Sequence, residues 1–197
     1  WAEIPVTLVG QWGGPSYAVA VSGNRAYLGI GPRLVVMDVS DPSSPTVLGV
    51  SEILPGIADD VAISGNYAYV ADGEAGLQVI DISNPASPTR VGGYDTSGSA
   101  YEVAVSGNYA YVADGEAGLE VMDISNPASP TRVEGYDTSG SAGGVAVSGN
   151  CAYVIAGKFG GTGDRSVGLQ VIDISNPSLP TRVGGYDTIC EAFGVAV

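Results

Sequence analysis

The hexapeptide Val-Ala-Val-Ser-Gly-Asn constrains this chain more than any other feature. It stands at Val19–Asn24, as Val-Ala-Ile-Ser-Gly-Asn at Val61–Asn66, and again at Val103–Asn108 and Val145–Asn150; its first half returns at Val195–Val197. The intervals are 42, 42, 42 and 50 residues. A fixed period of this size marks a repeat architecture, in which one unit cannot bury its own faces and neighbours must stack.

Each period reads as four short apolar segments. In the second period these are Val-Ala-Ile ending at Ser-Gly-Asn, Tyr-Ala-Tyr-Val-Ala ending at Asp-Gly, Leu-Gln-Val-Ile-Asp-Ile-Ser ending at Asn-Pro, and Pro-Thr-Arg-Val-Gly-Gly-Tyr-Asp ending in a Ser/Gly-rich loop. All are rich in Val, Ile, Tyr and Thr and bounded by turn residues, the signal for strands. Gly65-Asn66 and its copies predict a two-residue hairpin between the first two. Val79, Ile80 and Ile82 would point to opposite faces of a strand, yet all are apolar, so both faces must be covered. Four-stranded antiparallel sheets, each hidden between its neighbours, make an all-β propeller of about 42-residue blades. A β-solenoid is the rival reading. The blades are expected at 19–60, 61–102, 103–144 and 145–194. Residues 1–18, with a strand at Thr7–Trp12, would end a preceding blade, and 195–197 would start a following one. That is an open arc, the chain being read as a piece of a protein of six to eight blades.

Composition narrows the function. The 30 glycines and 12 prolines are spread along the chain and argue against long helices. Net charge is −14, from 21 acidic and 7 basic residues, which repels nucleic acid and anionic membranes. Histidine is absent, removing the commonest general base and zinc ligand. No apolar run is long enough to cross a membrane as a helix. Cys151 and Cys190 are expected at opposite ends of the fold and not to bond. Arg90, Arg132 and Arg182 fall on the fourth strand, where charge protects an edge. Asp38, Asp81, Asp123 and Asp173 precede Ser and are read as acceptors of turn N–H groups.

The segments Leu34–Ser40, Leu77–Ser83, Leu119–Ser125 and Leu169–Ser175, with the following Asp-Ile-Ser-Asn-Pro-Ala-Ser-Pro-Thr-Arg-Val-Gly-Gly-Tyr-Asp-Thr, resemble the LVIVD repeat. That resemblance implies a propeller-like fold and a surface or secreted protein. It supplies no catalytic motif. Kelch and WD40 repeats fit less well: the kelch tryptophan, and the Gly-His and Trp-Asp pairs of WD40, are missing.

Function is sought where the copies disagree. Between Val61–Glu102 and Val103–Gly144 six positions differ. Ile63/Val105, Gln78/Glu120, Ile80/Met122 and Gly92/Glu134 read as conservative or surface changes. The remaining two are adjacent: Tyr101-Glu102 becomes Gly143-Gly144, and the same places hold Tyr17-Ala18, Asp59-Asp60 and Phe193-Gly194 elsewhere. These pairs precede the first strand, which lines the channel of a propeller, so Tyr17, Asp59, Asp60, Tyr101, Glu102 and Phe193 are candidate rim residues for binding. The loop between strands two and three should open on that face. In the fourth repeat it carries an insertion, 157–167, with Lys158, Phe159, Asp164 and Arg165 as further candidates. Asp72, Glu74, Asp114 and Glu116 in the other copies are weighed as calcium ligands, although two carboxylates per loop are few; solvated turn acids are the default and no cofactor is expected.

Three functions fit. The favoured one is a non-catalytic binding module, secreted or on the cell surface, whose partner is a protein or a glycan. The second is a hydrolytic enzyme using carboxylates such as Asp59, Asp60, Glu102 and Glu191 at the channel mouth. The third is an architectural spacer.

Overall fold

A computed structural model describes residues 16–157, 167–188, 192 and 194–197 of the chain. Four four-stranded antiparallel sheets follow one another. They are β1–β4 (Ala18–Ser22, Arg25–Gly29, Leu34–Asp38, Thr46–Val50), β5–β8 (Asp60–Ser64, Tyr67–Ala71, Leu77–Asp81, Thr89–Tyr94), β9–β12 (Glu102–Ser106, Tyr109–Ala113, Leu119–Asp123, Thr131–Tyr136) and β13–β16 (Ser141–Ser148, Cys151–Gly157, Val167–Asp173, Thr181–Thr188). Each sheet is a simple meander. The first strands β1, β5, β9 and β13 pack side by side along the inner edge, and the fourth strands lie outside. This is an open arc of propeller blades. Nothing of the solenoid reading survives, because every pairing runs within one repeat and is antiparallel.

Local chemistry explains the blade. Ser64 pairs with Tyr67 across Gly65-Asn66, and the glycine has φ of 57°. Among the described turns of this type only the glycine takes positive φ, the pattern of a type II′ turn, whose twist suits a hairpin. The third strands end where Asp38, Asp81, Asp123 and Asp173 each accept the N–H of the serine two residues on, at 2.8 Å. The expected turn role is therefore met. These four carboxyls sit below the usual carboxylate range because of the serine hydroxyl and N–H.

The two apolar faces of each sheet serve two interfaces. Tyr69, Leu77 and Val79 pack forward on Val103, Val112 and Met122 of the next blade. Ile80 and Ile82 pack backward, with Leu34 and Val36 of the blade before. Fully burying one such side chain contributes about 1.5–3 kcal/mol, so the stacked faces dominate stability. Ile80 and Met122 are both fully buried, so that exchange is a volume-conserving core change, not a surface one.

Gln78 and Glu120 are also buried, at 2% exposure, which corrects their reading as surface positions. The side chain of Gln78 accepts from Arg90 Nε at 2.6 Å, and Glu120 forms an ion pair with Arg132. The edge arginines thus fold back over their own strand, where Gly93 and Gly135 leave room for the guanidinium.

Val195–Val197 is not in a strand, contrary to expectation. Strands β14 and β15 reach Gly157 and Val167, so the insertion begins after the one and ends before the other. Thr7–Trp12, Lys158, Phe159, Asp164, Arg165, Cys190, Glu191 and Phe193 lie outside the described residues. Cys151 is a free thiol.

Candidate functional site

One end of the arc is built from two kinds of loop: those joining the fourth strand of a blade to the first of the next, and those joining strands two and three. They interlock by backbone pairing. Gly73 pairs with Ala100 and Gly115 with Ala142. Both loop types therefore share one face, as the sequence predicts.

The carboxylates of the second loop type turn inward. Asp72 and Asp114 have no solvent exposure, which overturns their reading as solvated turn acids. Asp114 accepts from the Gly98 N–H at 2.8 Å and the Thr96 hydroxyl at 2.5 Å, both from the loop that enters its blade. Asp72 accepts only from the Gly56 N–H, at 2.9 Å. Its Oδ1 is buried without a partner, because Leu54 occupies the place that Thr96 holds one repeat later. Burial raises both acids, Asp72 to about 6. Glu74 and Glu116, by contrast, point to solvent. The four do not converge, and no group of three or more metal-ligating side chains occurs among the described residues.

This clasp yields a prediction. Thr96→Val should leave Asp114 Oδ1 as orphaned as that of Asp72. The expected cost is about 1–3 kcal/mol, or roughly 2–12 °C in Tm, read by thermal unfolding; an unchanged Tm would show that the hydroxyl bond does not hold the loop.

Asp60 and Glu102 do not stand on the rim. Each opens its first strand, half-buried, and reaches to the next blade. Asp60 Oδ2 accepts from the Val103 N–H at 3.0 Å and Glu102 Oε2 from the Val145 N–H at 2.9 Å. A Cβ on an unchanged Gly144 backbone would carry its side chain into Glu102 Oε2, 2.8 Å away. The exchange of Tyr-Glu for Gly-Gly therefore has a structural half: glycine in one blade makes room for the longer acid of the blade before. Burial raises both carboxyls. Glu102 reaches about 7, with the charge of Asp60 adding to the effect.

The first residue of each pair behaves differently. Tyr101 is 45% exposed, and Tyr17 65%. Tyr101 stands between two clefts. The smaller, about 490 Å³, is lined by Ile57, Asp59, Glu74, Ser99 and Tyr101 among others. The larger, about 1040 Å³, is its counterpart one blade on and is lined by Ser99, Tyr101, Glu116, Ser141 and Gly143. Gly143 occupies the place of Tyr101, and a Cβ added there would meet nothing within 4 Å. Its position in a bulge, between Ala142 and Gly144 of β13, takes it out of the strand ladder. Tyr17 lines neither cleft. Asp137 and Ser139, also on the wall of the larger cleft, were not singled out from sequence. They lie in copies identical to Asp95 and Ser97, and nothing in the repeat marks them.

Comparison with known proteins agrees with this architecture. The LVIVD repeat matches residues 13–51, 55–96, 97–138 and 139–188. No curated protein matches the chain. Two computationally designed proteins have similar solved structures. Ika4 aligns at TM-score 0.62 and 16% identity, over 84% of this chain and 98% of its own. Ika8 aligns at TM-score 0.61 and 11% identity, over 92% of this chain and 65% of its own. At such identities the likeness is one of fold alone.

Proposed function

The chain belongs to the LVIVD repeat family, and from that premise we propose that it is a non-catalytic binding module, secreted or displayed on a cell surface, that holds its ligand on the face where the two clefts open. One observation carries this reading. Two clefts built from near-identical repeats differ at the rim by Tyr101 against Gly143, and the one with glycine has about twice the volume, 1040 against 490 Å³. Change concentrated at one exposed place on a fixed framework is how loops on a rigid scaffold acquire a ligand. Acidic side chains on the cleft walls favour neutral or cationic ligands over anionic ones.

Gly143→Tyr tests it. The variant copies the residue that Tyr101 already is in the neighbouring blade, into open space. The wild-type chain and the variant would be compared on a printed array of defined glycans and purified extracellular proteins. Wild type should bind at least one of them, and Gly143→Tyr should weaken that binding about tenfold or more with Tm unchanged. An array that shows no binding, or binding indifferent to Gly143→Tyr and Tyr101→Ala, would contradict the proposal.

The hydrolytic alternative draws on Glu102, the described acid on the inner strands pushed nearest to neutrality, to about 7. Against it, this carboxylate is spent on the Val145 N–H and lines neither cleft. Hydrolysis of any array ligand, lost in Glu102→Gln, would favour the enzyme.

A further inference from the structure

We propose that the larger cleft binds a neutral glycan chain, which crosses Tyr101 and continues into the smaller cleft; this rests on reading that face as the binding surface. The walls of the larger cleft decide between a sugar and a protein. The described residues on them are serines, glycines, two acids and one aromatic residue, with no aliphatic side chain of Val, Leu, Ile or Met among them. Protein partners are anchored by large side chains seated in well-packed pockets, and among the described walls only Tyr101 offers a large side chain for one to pack against.

A sugar finds complementary groups here. Serine hydroxyls donate and accept, and the carboxyl oxygens of Glu116 and Asp137 accept, so the ring hydroxyls of a glycan can be paired. The half-exposed Tyr101 ring offers a flat apolar platform with a polar tip for the ring's carbon face. No cationic side chain is among the described residues that line the cleft, and the chain carries a net charge of −14. Sulfated or sialylated chains would be repelled. Ser139, on the wall, has φ of 58° and is the one non-glycine with positive φ among the described residues. Such a conformation is uncommon outside glycine and gathers at functional sites.

The two clefts share Ser99 and Tyr101. A ligand seated in one therefore meets the other across the tyrosine, which favours an oligosaccharide over a single ring.

Isothermal titration of the 197-residue chain would use hexasaccharides of β-1,4-linked glucose, β-1,4-linked N-acetylglucosamine and mannose, with heparin hexasaccharide as the acidic comparison and the monosaccharides as the short ones. At least one neutral hexasaccharide should bind, more tightly than its monosaccharide. Its affinity should fall about tenfold or more in both Tyr101→Ala and Gly143→Tyr and hold nearly constant from about 0.05 to 0.5 M salt. If no neutral hexasaccharide binds, or only heparin does, the inference is overturned. Binding of an extracellular protein that is lost in Gly143→Tyr, without glycan binding, would overturn it too while leaving the binding-module reading intact. If no ligand of either kind responds to Gly143→Tyr, both fall.

Discussion

Gly92→Ala is expected to destabilise the chain by about 2–3 kcal/mol, lowering Tm by roughly 4–12 °C. Gly92 lies on the outer strand β8, where an added Cβ would sit 2.3 Å from the Pro127 carbonyl oxygen and 2.9 Å from the Ala128 carbonyl carbon. Both atoms belong to the backbone of the next blade's Asn-Pro turn, so no side chain can swing aside and the blades must part. Gly49 meets Pro85 and Ala86 in the same way one blade earlier. The corresponding residue of the third blade is Glu134, which already carries a side chain and is exposed. Glu134→Ala should therefore move stability by no more than about 0.5 kcal/mol. Thermal unfolding of the two variants checks the contrast. Equal, small effects would mean that the outer strand does not press on the neighbouring turn.

The second large effect is electrostatic. Glu102 is raised from its ordinary 4.5 to about 7 and Asp72 from 3.8 to about 6, in both cases chiefly by burial. A native carboxyl that holds its proton more tightly than the unfolded one favours the fold in acid. That contribution is complete below about 3.8 for Asp72 and 4.5 for Glu102, and it is lost as pH rises through about 6 and 7 respectively. The turn acids Asp38, Asp41, Asp81, Asp123 and Asp173 act in the opposite sense, since their lowered values favour the fold above the usual carboxylate range. Stability should accordingly peak in mildly acidic solution and decline towards pH 8. Glu102→Gln keeps an oxygen to accept the Val145 N–H and removes the charge. Halving the unscreened shift because this carboxyl is only partly buried leaves a gain of about 1–2 kcal/mol at pH 8, fading to nothing below about pH 4.5. Chemical denaturation across that range measures it. A loss of stability at pH 8 would show that the charged form is the one the interface favours.

Much of the fold is legible in sequence because its determinants are local. Gly65-Asn66 sets a hairpin two residues long, Asp81 caps the turn after the third strand through Ser83, and the period gives the blade count of the arc. The site is less legible because its partners are distant. Nothing near Asp114 announces the Gly98 N–H, 16 residues earlier, that draws it into the interior. Glu102 reads as a rim residue until Val145, 43 residues on, is seen to donate to it. The one-residue excess of 43 over the period is the mark of an acid reaching into the next blade, as Asp60 does to Val103. One missed pairing did leave a trace. Gln78 and Arg90, and Glu120 and Arg132, stand twelve residues apart, and each pair bonds between the third and fourth strands of its blade. The difference in cleft volume left its trace in the exchange of Tyr101 for Gly143, but its size depends on the empty space beside Gly143.

The neighbouring of inner strands from successive blades underlies every placement on this face, and the amide of Val145 reports it directly. Followed by nuclear magnetic resonance through a pH titration, its nitrogen and proton shifts should move with a midpoint near 7, and the transition should vanish in Glu102→Gln while Val103, bonded to Asp60, still titrates. A Val145 amide that ignores pH, or titrates unchanged in Glu102→Gln, would contradict the blade arrangement and the cleft built on it.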